Sequence, residues 1–257
     1  MLIYCISLEK DTMRRENLKN FFPKNYCNMK IINAINGKKI TAEEFFLYSN
    51  QFYKTHKKII APSEVGCTLS HIKAYKDFLE TNEEYCLVIE DDIIGNDDDI
   101  SEIENIILSD RPEGIVLFGG QEGVPKDYWK YVLAKKTKNL YLISNFSKKF
   151  LFGAYCYVIN RSVAEELVEM HNRNFNFTDN WGDLIKLNNM YFFNLIKHPQ
   201  DFIDSNINSE RNLVYSTQHM FNKKNILKWF LFKFLNRAYN ELYRFFLIFK
   251  GYRNVRK

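Results

Sequence analysis

The stretch Cys86-Leu-Val-Ile-Glu90-Asp91-Asp92 decides the fold class. An apolar run that ends abruptly in three carboxylates is typical of a buried strand that stops at the edge of a sheet. In open α/β sheets, ligands bind outside the carboxyl ends of strands. Three clustered acids repel one another, and a hard divalent cation such as Mg²⁺ or Mn²⁺ would offset that repulsion. On repulsion alone, removing one acid would stabilise the metal-free protein. The alternative is a solvated turn that continues into Asp97, Asp98 and Asp99 as helix caps.

Strands and helices alternate on both sides of this stretch. Apolar runs predict further strands over residues 2–7, 29–35, 115–118, 153–160 and 191–197. Capping signals predict helices that begin near Asp11 or Thr12, Thr41, Ser63, Ser162 and Thr178, the last of them covering residues 179–189. This alternation predicts an α/β layered sheet. We expect one body over residues 1–222 and a separate tail over residues 223–257.

The composition is that of a folded globular protein. The chain has 257 residues, of which 46% are hydrophobic and 26% are charged, so it can bury a sizeable core. Its five cysteines lack C-x-x-C spacing, which favours reduced thiols in a cytosolic protein and suggests no zinc site. The N-terminus lacks the pattern of a signal peptide, and no apolar stretch predicts a membrane-spanning helix.

The net charge of +5 is unevenly distributed. Ten basic residues and one acidic residue lie from position 223 onward, which leaves 26 basic and 30 acidic residues in the first 222. On a helical wheel of residues 225–249, Lys233, Arg237, Glu241 and Arg244 fall within a narrow arc, and the rest of the circumference is apolar. This pattern favours a basic amphipathic helix in a membrane interface. The alternative is a helix packed on the body or against a second subunit.

A second motif, Ser63-Glu-Val-Gly66-Cys67-Thr-Leu-Ser70-His71, precedes the acids. Gly66 within a helix costs about 1 kcal/mol relative to alanine, so it predicts close packing or the approach of a ligand. Ser70 and His71 lie toward one side of that helix. His71 is therefore a candidate site residue, with an ordinary hydrogen-bonded core histidine as the alternative.

Five motifs together resemble glycosyltransferase family 25, the enzymes that build bacterial lipooligosaccharide, often called lipooligosaccharide β-1,4-galactosyltransferases. The motifs are Ile6-Ser7-Leu8 with Arg14-Arg15, Asn33-Ala-Ile-Asn-Gly37, the segment 64–71, Val88-Ile-Glu-Asp-Asp92 and the segment 152–159. They occur in the family's order and cover about residues 2–210. The resemblance implies a GT-A-like fold with a mixed sheet flanked by helices, a UDP-sugar donor and a divalent metal.

The resemblance also implies roles for individual residues. Asp92 would be the direct metal ligand, and Asp91 would face the metal or the ribose. The residues expected to border the nucleotide are Ser7, Asn33, Gly37, Ser70, His71, Glu90 and Asp91. A cation suits this chemistry because cleaving a sugar from UDP leaves a diphosphate with growing negative charge. Arg14 and Arg15 either border the nucleotide or are ordinary helix charges.

Inversion at the anomeric carbon needs a general base for the acceptor hydroxyl. The segment Thr178-Asp179-Asn180-Trp181-Gly182-Asp183 resembles the family's later acidic position, with Asp179 as the first candidate and Asp183 as the second. Trp181 offers an apolar face for a sugar ring. The alternative is that Asp179 merely favours a helix N-terminus. His198 and His219 either approach the phosphates or are surface residues.

Together these observations predict a cytoplasmic glycosyltransferase that is peripheral on the inner membrane. It would move a hexose, galactose from UDP-galactose, onto a lipooligosaccharide acceptor with inversion. One alternative is a metal-dependent phosphodiesterase or nuclease with nucleic acid on the basic tail. The acidic body and the single dense carboxylate cluster disfavour it, so no nucleic-acid partner is expected. A second alternative is a non-catalytic module that binds a sugar nucleotide. The sequence does not decide whether the protein forms a homodimer.

Overall fold

The computed structural model describes residues 1–119, 124–186, 188–199, 210–211, 214 and 226–255. Its strands are β1 Leu2–Ser7, β2 Met29–Asn33, β3 Tyr85–Glu90, β4 Gly114–Gly119, β5 Leu133–Lys136, β6 Tyr141–Ile143, β7 Cys156–Asn160, β8 Asn189–Ile196 and β9 Arg253–Asn254. Its helices are α1 Thr12–Phe21, α2 Ala42–His56, α3 Pro62–Leu79, α4 Asp97–Asp110, α5 Lys126–Trp129, α6 Arg161–Arg173, α7 Trp181–Leu184 and α8 Ile226–Phe249.

Within the described ranges, the strands form one nine-stranded sheet in the order β2-β1-β3-β7-β4-β8-β6-β5-β9. Both neighbours of β1 run parallel to it, so the carboxyl ends of β1, β2 and β3 meet at one edge. In this register Ile6 pairs with Glu90, and Ser7 pairs with Asn33. The three acids therefore lie at the end of β3, whose other residues are buried, at the edge where an α/β sheet binds ligands.

Helices cover both faces of the sheet because successive side chains of a buried strand point to opposite faces. On one face, Tyr4 and Ile6 of β1 join a core with residues of α3 and α6. On the other face, Ile3 and Cys5 join a second core with residues of α1 and α4. The predicted fold class, a mixed α/β sheet flanked by helices, is confirmed.

The helix starts follow local capping with some shifts from the sequence prediction. The capping box at Thr41 is present, since Thr41 accepts from the Glu44 N–H and the Glu44 side chain accepts from the Thr41 N–H. The next helix, α3, begins with Pro62, whose missing N–H suits a first turn. Asn160 caps α6 in place of Ser162 by accepting from Val163 N at 3.0 Å. The predicted helix over 179–189 is only α7, because the chain enters β8 at Asn189.

The chain after residue 225 is joined to the far edge of the sheet. Gly251, at φ +86°, turns the backbone after α8, and β9 then pairs antiparallel with β5. Glu241 accepts from Lys130 Nζ at 2.6 Å and from the Tyr131 hydroxyl at 2.9 Å. The predicted boundary between body and tail, at residues 222 and 223, lies outside the described residues.

The polar side chains of Asn240, Glu241 and Arg244 on α8 face the body, and an apolar stripe of the helix faces outward. Asn240 is only 7% exposed and accepts from Lys149 Nζ, while Arg244 Nε donates to the Lys130 carbonyl at 3.2 Å. The outward stripe comprises Leu231, Leu235, Leu242, Phe245 and Phe249, which are 56–92% exposed. Among the helices of the described ranges, none has the length and apolarity needed to cross a membrane.

Candidate functional site

A cavity of about 560 Å³ opens at the carboxyl edge of β1 and β3. Its size falls within the range of small-ligand sites. Its walls come from α1, the loop of residues 34–38, the first half of α3, the acids 90–92, the segment 177–179, and the more distant residues His198 and Arg211. The cavity thus gathers side chains from along most of the chain onto the end of a rigid sheet.

Arg14 forms ion pairs with two of the three acids. Its NH1 group lies 3.2 Å from Asp91 Oδ1 and 2.9 Å from Asp92 Oδ2. Burial raises the pKa of Asp91 above its ordinary value, although Ser7 and Arg14 partly oppose the effect. Burial also acts to raise the pKa of Asp92, but His198 and Arg14 outweigh it and hold that pKa below its ordinary value. Arg14 is therefore a site residue, whereas Arg15 binds the Ser7 hydroxyl and backbone carbonyls of the same loop.

His198 is the second basic partner of the acids. Its Nε2 lies 3.2 Å from Asp92 Oδ1, and its ring stacks on Tyr155 with centroids 3.8 Å apart. Burial lowers the pKa of His198, but Asp92 and Glu90 outweigh burial and raise it overall. Nδ1 lies 2.8 Å from the Pro199 carbonyl and donates to it, so Nε2 is the nitrogen that gains or loses the second proton of the ring. The protonated ring donates from Nε2 to Asp92, whereas loss of that proton would leave a lone pair suited to a cation bound at Asp92.

Two carboxylate oxygens of the acids fit a cation. Asp91 Oδ2 and Asp92 Oδ1 are buried and lack a well-aligned hydrogen-bond donor among the described residues. A buried carboxylate oxygen without a donor is costly. Carboxylate oxygens are also the ligands that Mg²⁺ and Mn²⁺ prefer. Asp92, with His198 opposite and Asp91 adjacent, is thus suited to hold a divalent metal.

The motif of α3 fixes the loop that forms one cavity wall. A Cβ on Gly66 would lie 2.4 Å from the Ile35 carbonyl oxygen, and one on Gly37 would lie 1.8 Å from the Pro62 carbonyl oxygen. Ser70 Oγ accepts from Ile35 N at 2.8 Å and donates to the Gly66 carbonyl at 2.6 Å. The predicted close packing at Gly66 is present. Gly37 and Ser70 line the cavity, where Ser70 holds the loop in place.

His71 is buried at the base of the cavity. Its Nδ1 lies 2.6 Å from the Tyr157 hydroxyl, which in turn lies 2.7 Å from the Tyr75 hydroxyl. Its Nε2 faces Glu90 Oε1 at 3.4 Å. Burial lowers the pKa of His71 to about 3, so the ring is neutral at pH 7. Burial and repulsion from Asp92 raise the pKa of Glu90 well above its ordinary value.

Asp179 lines the cavity, whereas Asp183, the second candidate for the general base, does not. Burial raises the pKa of Asp179 above its ordinary value, although Arg211 and the Gly153 N–H oppose the shift. A raised pKa suits a carboxylate that must accept a proton. Asp183 is not among the cavity-lining residues, and its Oδ2 accepts from Asn180 Nδ2 at 2.7 Å.

Most of the predicted site residues line the cavity. Those that line it are Ser7, Gly37, Ser70, His71, Glu90, Asp91, Asp92 and Asp179. Asn33 is exposed at the end of β2 and does not line it. Trp181 is fully buried, donates to the Gly153 carbonyl at 3.0 Å and packs on Tyr157, so the expected sugar-facing role is wrong. His219 lies outside the described residues.

The structure adds Glu64, Tyr155 and Arg211, which the sequence analysis did not assign. Glu64 is 3% exposed, accepts from Ala61 N at 2.9 Å and binds Arg211 Nε at 2.8 Å. The sequence placed Glu64 only within the motif of residues 63–71, near the start of a helix. Arg211 gave no signal because its partner lies 147 residues away.

Comparison with known proteins gives one family and several distant relatives. The model of "Glycosyltransferase family 25 (LPS biosynthesis protein)" matches residues 1–181. A glycosyltransferase 25 family member of Aedes aegypti is 24% identical over 177 residues, which are 65% of this chain and 28% of that protein. Procollagen galactosyltransferase 2 of Mus musculus is 25% identical over 96 residues, which are 35% of this chain and 15% of that protein. The chain thus spans 28% or less of the length of these relatives.

Two solved structures match most of this chain at low similarity. One is A197 from STIV, with a TM-score of 0.41 and 12% identity over 77% of this chain and 85% of that chain. The other is a UDP-glucose pyrophosphorylase complexed with UDP-glucose, with a TM-score of 0.42 and 11% identity over 76% of this chain and 91% of that chain.

Proposed function

The chain belongs to glycosyltransferase family 25, and we propose that it transfers galactose from UDP-galactose onto a lipooligosaccharide acceptor with inversion at the anomeric carbon. The observation that carries this proposal is the cavity at the end of β3, where acids suited to a cation lie beside cationic side chains. The family's description as a lipopolysaccharide biosynthesis protein supports the acceptor class. The name of the mouse relative, a galactosyltransferase, supports the sugar.

A divalent metal, Mn²⁺ or Mg²⁺, would be held by Asp92 and His198 with Asp91 beside them. The buried Asp91 Oδ2 and Asp92 Oδ1, together with Nε2 of a neutral His198, would fit such an ion. When bound, the ion would stabilise the negative charge that develops on the leaving diphosphate. Arg14, Lys38 and Arg211 bring further positive charge to the same cavity. These side chains would bind and orient the two phosphates.

The nucleoside would lie against the end of β1 and the loop of residues 34–37. Ser7 lies at the end of β1, and both elements line the cavity. The close contact of Gly37 and Gly66 makes this wall rigid. A rigid wall orients a bound nucleotide at little entropic cost.

Asp179 would act as the general base. It takes the proton of the acceptor hydroxyl while that oxygen bonds to the anomeric carbon, and the bond from this carbon to the UDP oxygen breaks. Burial supports this role because it raises the pKa of Asp179 toward the working pH. The place of Asp183 outside the cavity lining favours Asp179 over it.

The outward stripe of α8 would bind the cytoplasmic face of the inner membrane and make the enzyme a peripheral protein. The body holds the polar arc through Asn240, Glu241 and Arg244, which leaves the apolar stripe facing away from it. Each large apolar side chain that becomes buried contributes about 1.5–3 kcal/mol. Lys250, exposed at the end of α8, would add about 1 kcal/mol near anionic headgroups.

The test is a donor screen with the whole chain. We expect UDP release from UDP-galactose in the presence of Mn²⁺, faster than from other UDP-sugars, and faster still when a truncated lipooligosaccharide is added. Failure to consume any UDP-sugar, together with hydrolysis of an oligonucleotide, would replace this proposal with a metal-dependent phosphodiesterase. UDP binding without turnover on any acceptor would indicate a binding module.

A further inference from the structure

A mixed set of ligand atoms lies beside the acids. Cys67 Sγ, a ring nitrogen of His71 and a carboxylate oxygen of Glu90 all lie within 4.8 Å of one another. Cys67 and His71 are four residues apart on α3 and therefore share a face of that helix. Glu90 comes from the end of β3. The cysteine spacing did not suggest a zinc site because these ligands come from a helix and a strand.

We propose that Cys67, His71 and Glu90 form a second metal site that is selective for a thiophilic divalent ion such as Zn²⁺. Thiolate and imidazole ligands favour zinc over Mg²⁺ or Mn²⁺. Zinc bonds of about 2.0–2.2 Å in tetrahedral geometry place nitrogen and oxygen ligands about 3.4 Å apart. His71 Nε2 and Glu90 Oε1 are 3.4 Å apart. All three residues line the cavity.

The residues behind His71 prepare it as a ligand. The ring lies 2.6 Å from the Tyr157 hydroxyl through Nδ1, and Tyr157 contacts Tyr75 at 2.7 Å. Metal-binding histidines commonly have their second nitrogen held in this way, which fixes the ring. A proton on Nδ1 leaves the Nε2 lone pair directed at Glu90, an arrangement that a cation between them stabilises. Burial lowers the pKa of His71 to about 3, so the ring itself does not carry a second proton at pH 7.

The two sites differ in ligand chemistry. The Asp92–His198 site carries carboxylate and imidazole groups, whereas the second site adds a sulfur. On binding, the Cys67 thiol loses its proton to solvent and a sulfur–metal bond forms, with no change of oxidation state. Burial raises the pKa of free Cys67, so the thiol is protonated and weakly nucleophilic until a metal binds.

Cobalt provides a direct test, because a thiolate bound to Co²⁺ gives a near-ultraviolet charge-transfer band that oxygen and nitrogen ligands do not give. We expect titration of the whole chain with Co²⁺ to produce this band and Zn²⁺ to abolish it, while Mn²⁺ does not. Cys67→Ser should remove the band. Tyr157→Phe should weaken Co²⁺ binding about 10–100-fold.

Matched controls separate this site from its neighbours. Cys27→Ser changes an exposed cysteine elsewhere and should keep the band. Asp92→Asn should also keep it, so that failure of the proposed catalytic metal site does not affect the result. Circular dichroism checks that each variant is folded, and Glu90→Gln provides a second ligand change if Cys67→Ser does not fold. Absence of the band in the wild type, or its persistence in folded Cys67→Ser, would overturn the proposal.

Discussion

Replacing Asp179 with asparagine tests the assignment of the general base. The change keeps the size of the side chain and its acceptor for the Gly153 N–H but removes its ability to take a proton. Loss of a general base costs about 10²–10⁴-fold in rate. At 1.36 kcal/mol per tenfold change, this is about 2.7–5.4 kcal/mol of transition-state stabilisation. Donor binding should change little, because the base acts on the acceptor.

The assay is steady-state transfer, with kcat and the donor KM measured separately. We expect kcat to fall 10²–10⁴-fold with a KM for UDP-galactose near that of the wild type. The pH profile gives a second readout. A base must be ionised, so wild-type activity should be present above the raised pKa of Asp179 and be lost as the pH falls through it. This acidic limb should disappear in the residual activity of the variant.

Asp183→Asn is the matched control. It alters the same kind of side chain four residues later, outside the cavity lining, and should keep near-wild-type kcat. Near-full activity of Asp179→Asn would refute its role as the base. A large loss in Asp183→Asn with a small loss in Asp179→Asn would transfer the role to Asp183.

Three further substitutions have defined outcomes. Asp92→Asn removes the ionic contacts of this side chain with Arg14 and His198. Urea titration of the metal-free protein at pH 7 should therefore show that the free energy of unfolding falls by about 1.5–3 kcal/mol. This loss should vanish as the pH falls through the lowered pKa of Asp92, and a gain in stability would mean that repulsion among the acids dominates. Gly66→Ala should gain about 1 kcal/mol from helix propensity, but the added methyl group overpacks a backbone contact at a cost of about 1–3 kcal/mol. The Tm should therefore fall, and a rise in Tm would disprove the close packing at Gly66. Leu242→Glu should abolish sedimentation of the protein with anionic vesicles. Leu108→Glu, which changes an equally exposed leucine on α4, should not. If the wild type instead forms a dimer that Leu242→Glu dissociates, and does not bind vesicles, the outward stripe is a subunit interface.

The strand that ends in Glu90-Asp91-Asp92 could be predicted because its signal is local. An apolar run that gives way to acids marks both a buried strand and the edge at which it stops. The close packing at Gly66 was also foreseeable, since a helical glycine needs a reason. The contact with the loop of residues 34–37 supplies that reason.

Long-range contacts explain what the sequence could not show. Trp181 lies in a polar segment and looks exposed, but Tyr157 and the Gly153 carbonyl bury it. Repulsion among the acids suggested that removing one would be stabilising. The contacts of Asp92 with Arg14 and His198 predict the opposite sign, and His198 lies 106 residues along the chain from Asp92. The helical wheel of α8 separated polar from apolar positions, but contacts with Lys130, Tyr131 and Lys149 determine which side faces the body.

The most direct test of the central claim is calorimetric titration of the whole chain with UDP, with and without Mn²⁺. We predict Mn²⁺-dependent binding of UDP to the wild type, and loss of the Mn²⁺ dependence in folded Asp92→Asn, with Asp183→Asn unchanged. UDP affinity that is the same with and without Mn²⁺, or the same in Asp92→Asn as in the wild type, would contradict the assignment of this cavity as a metal-dependent sugar-nucleotide site.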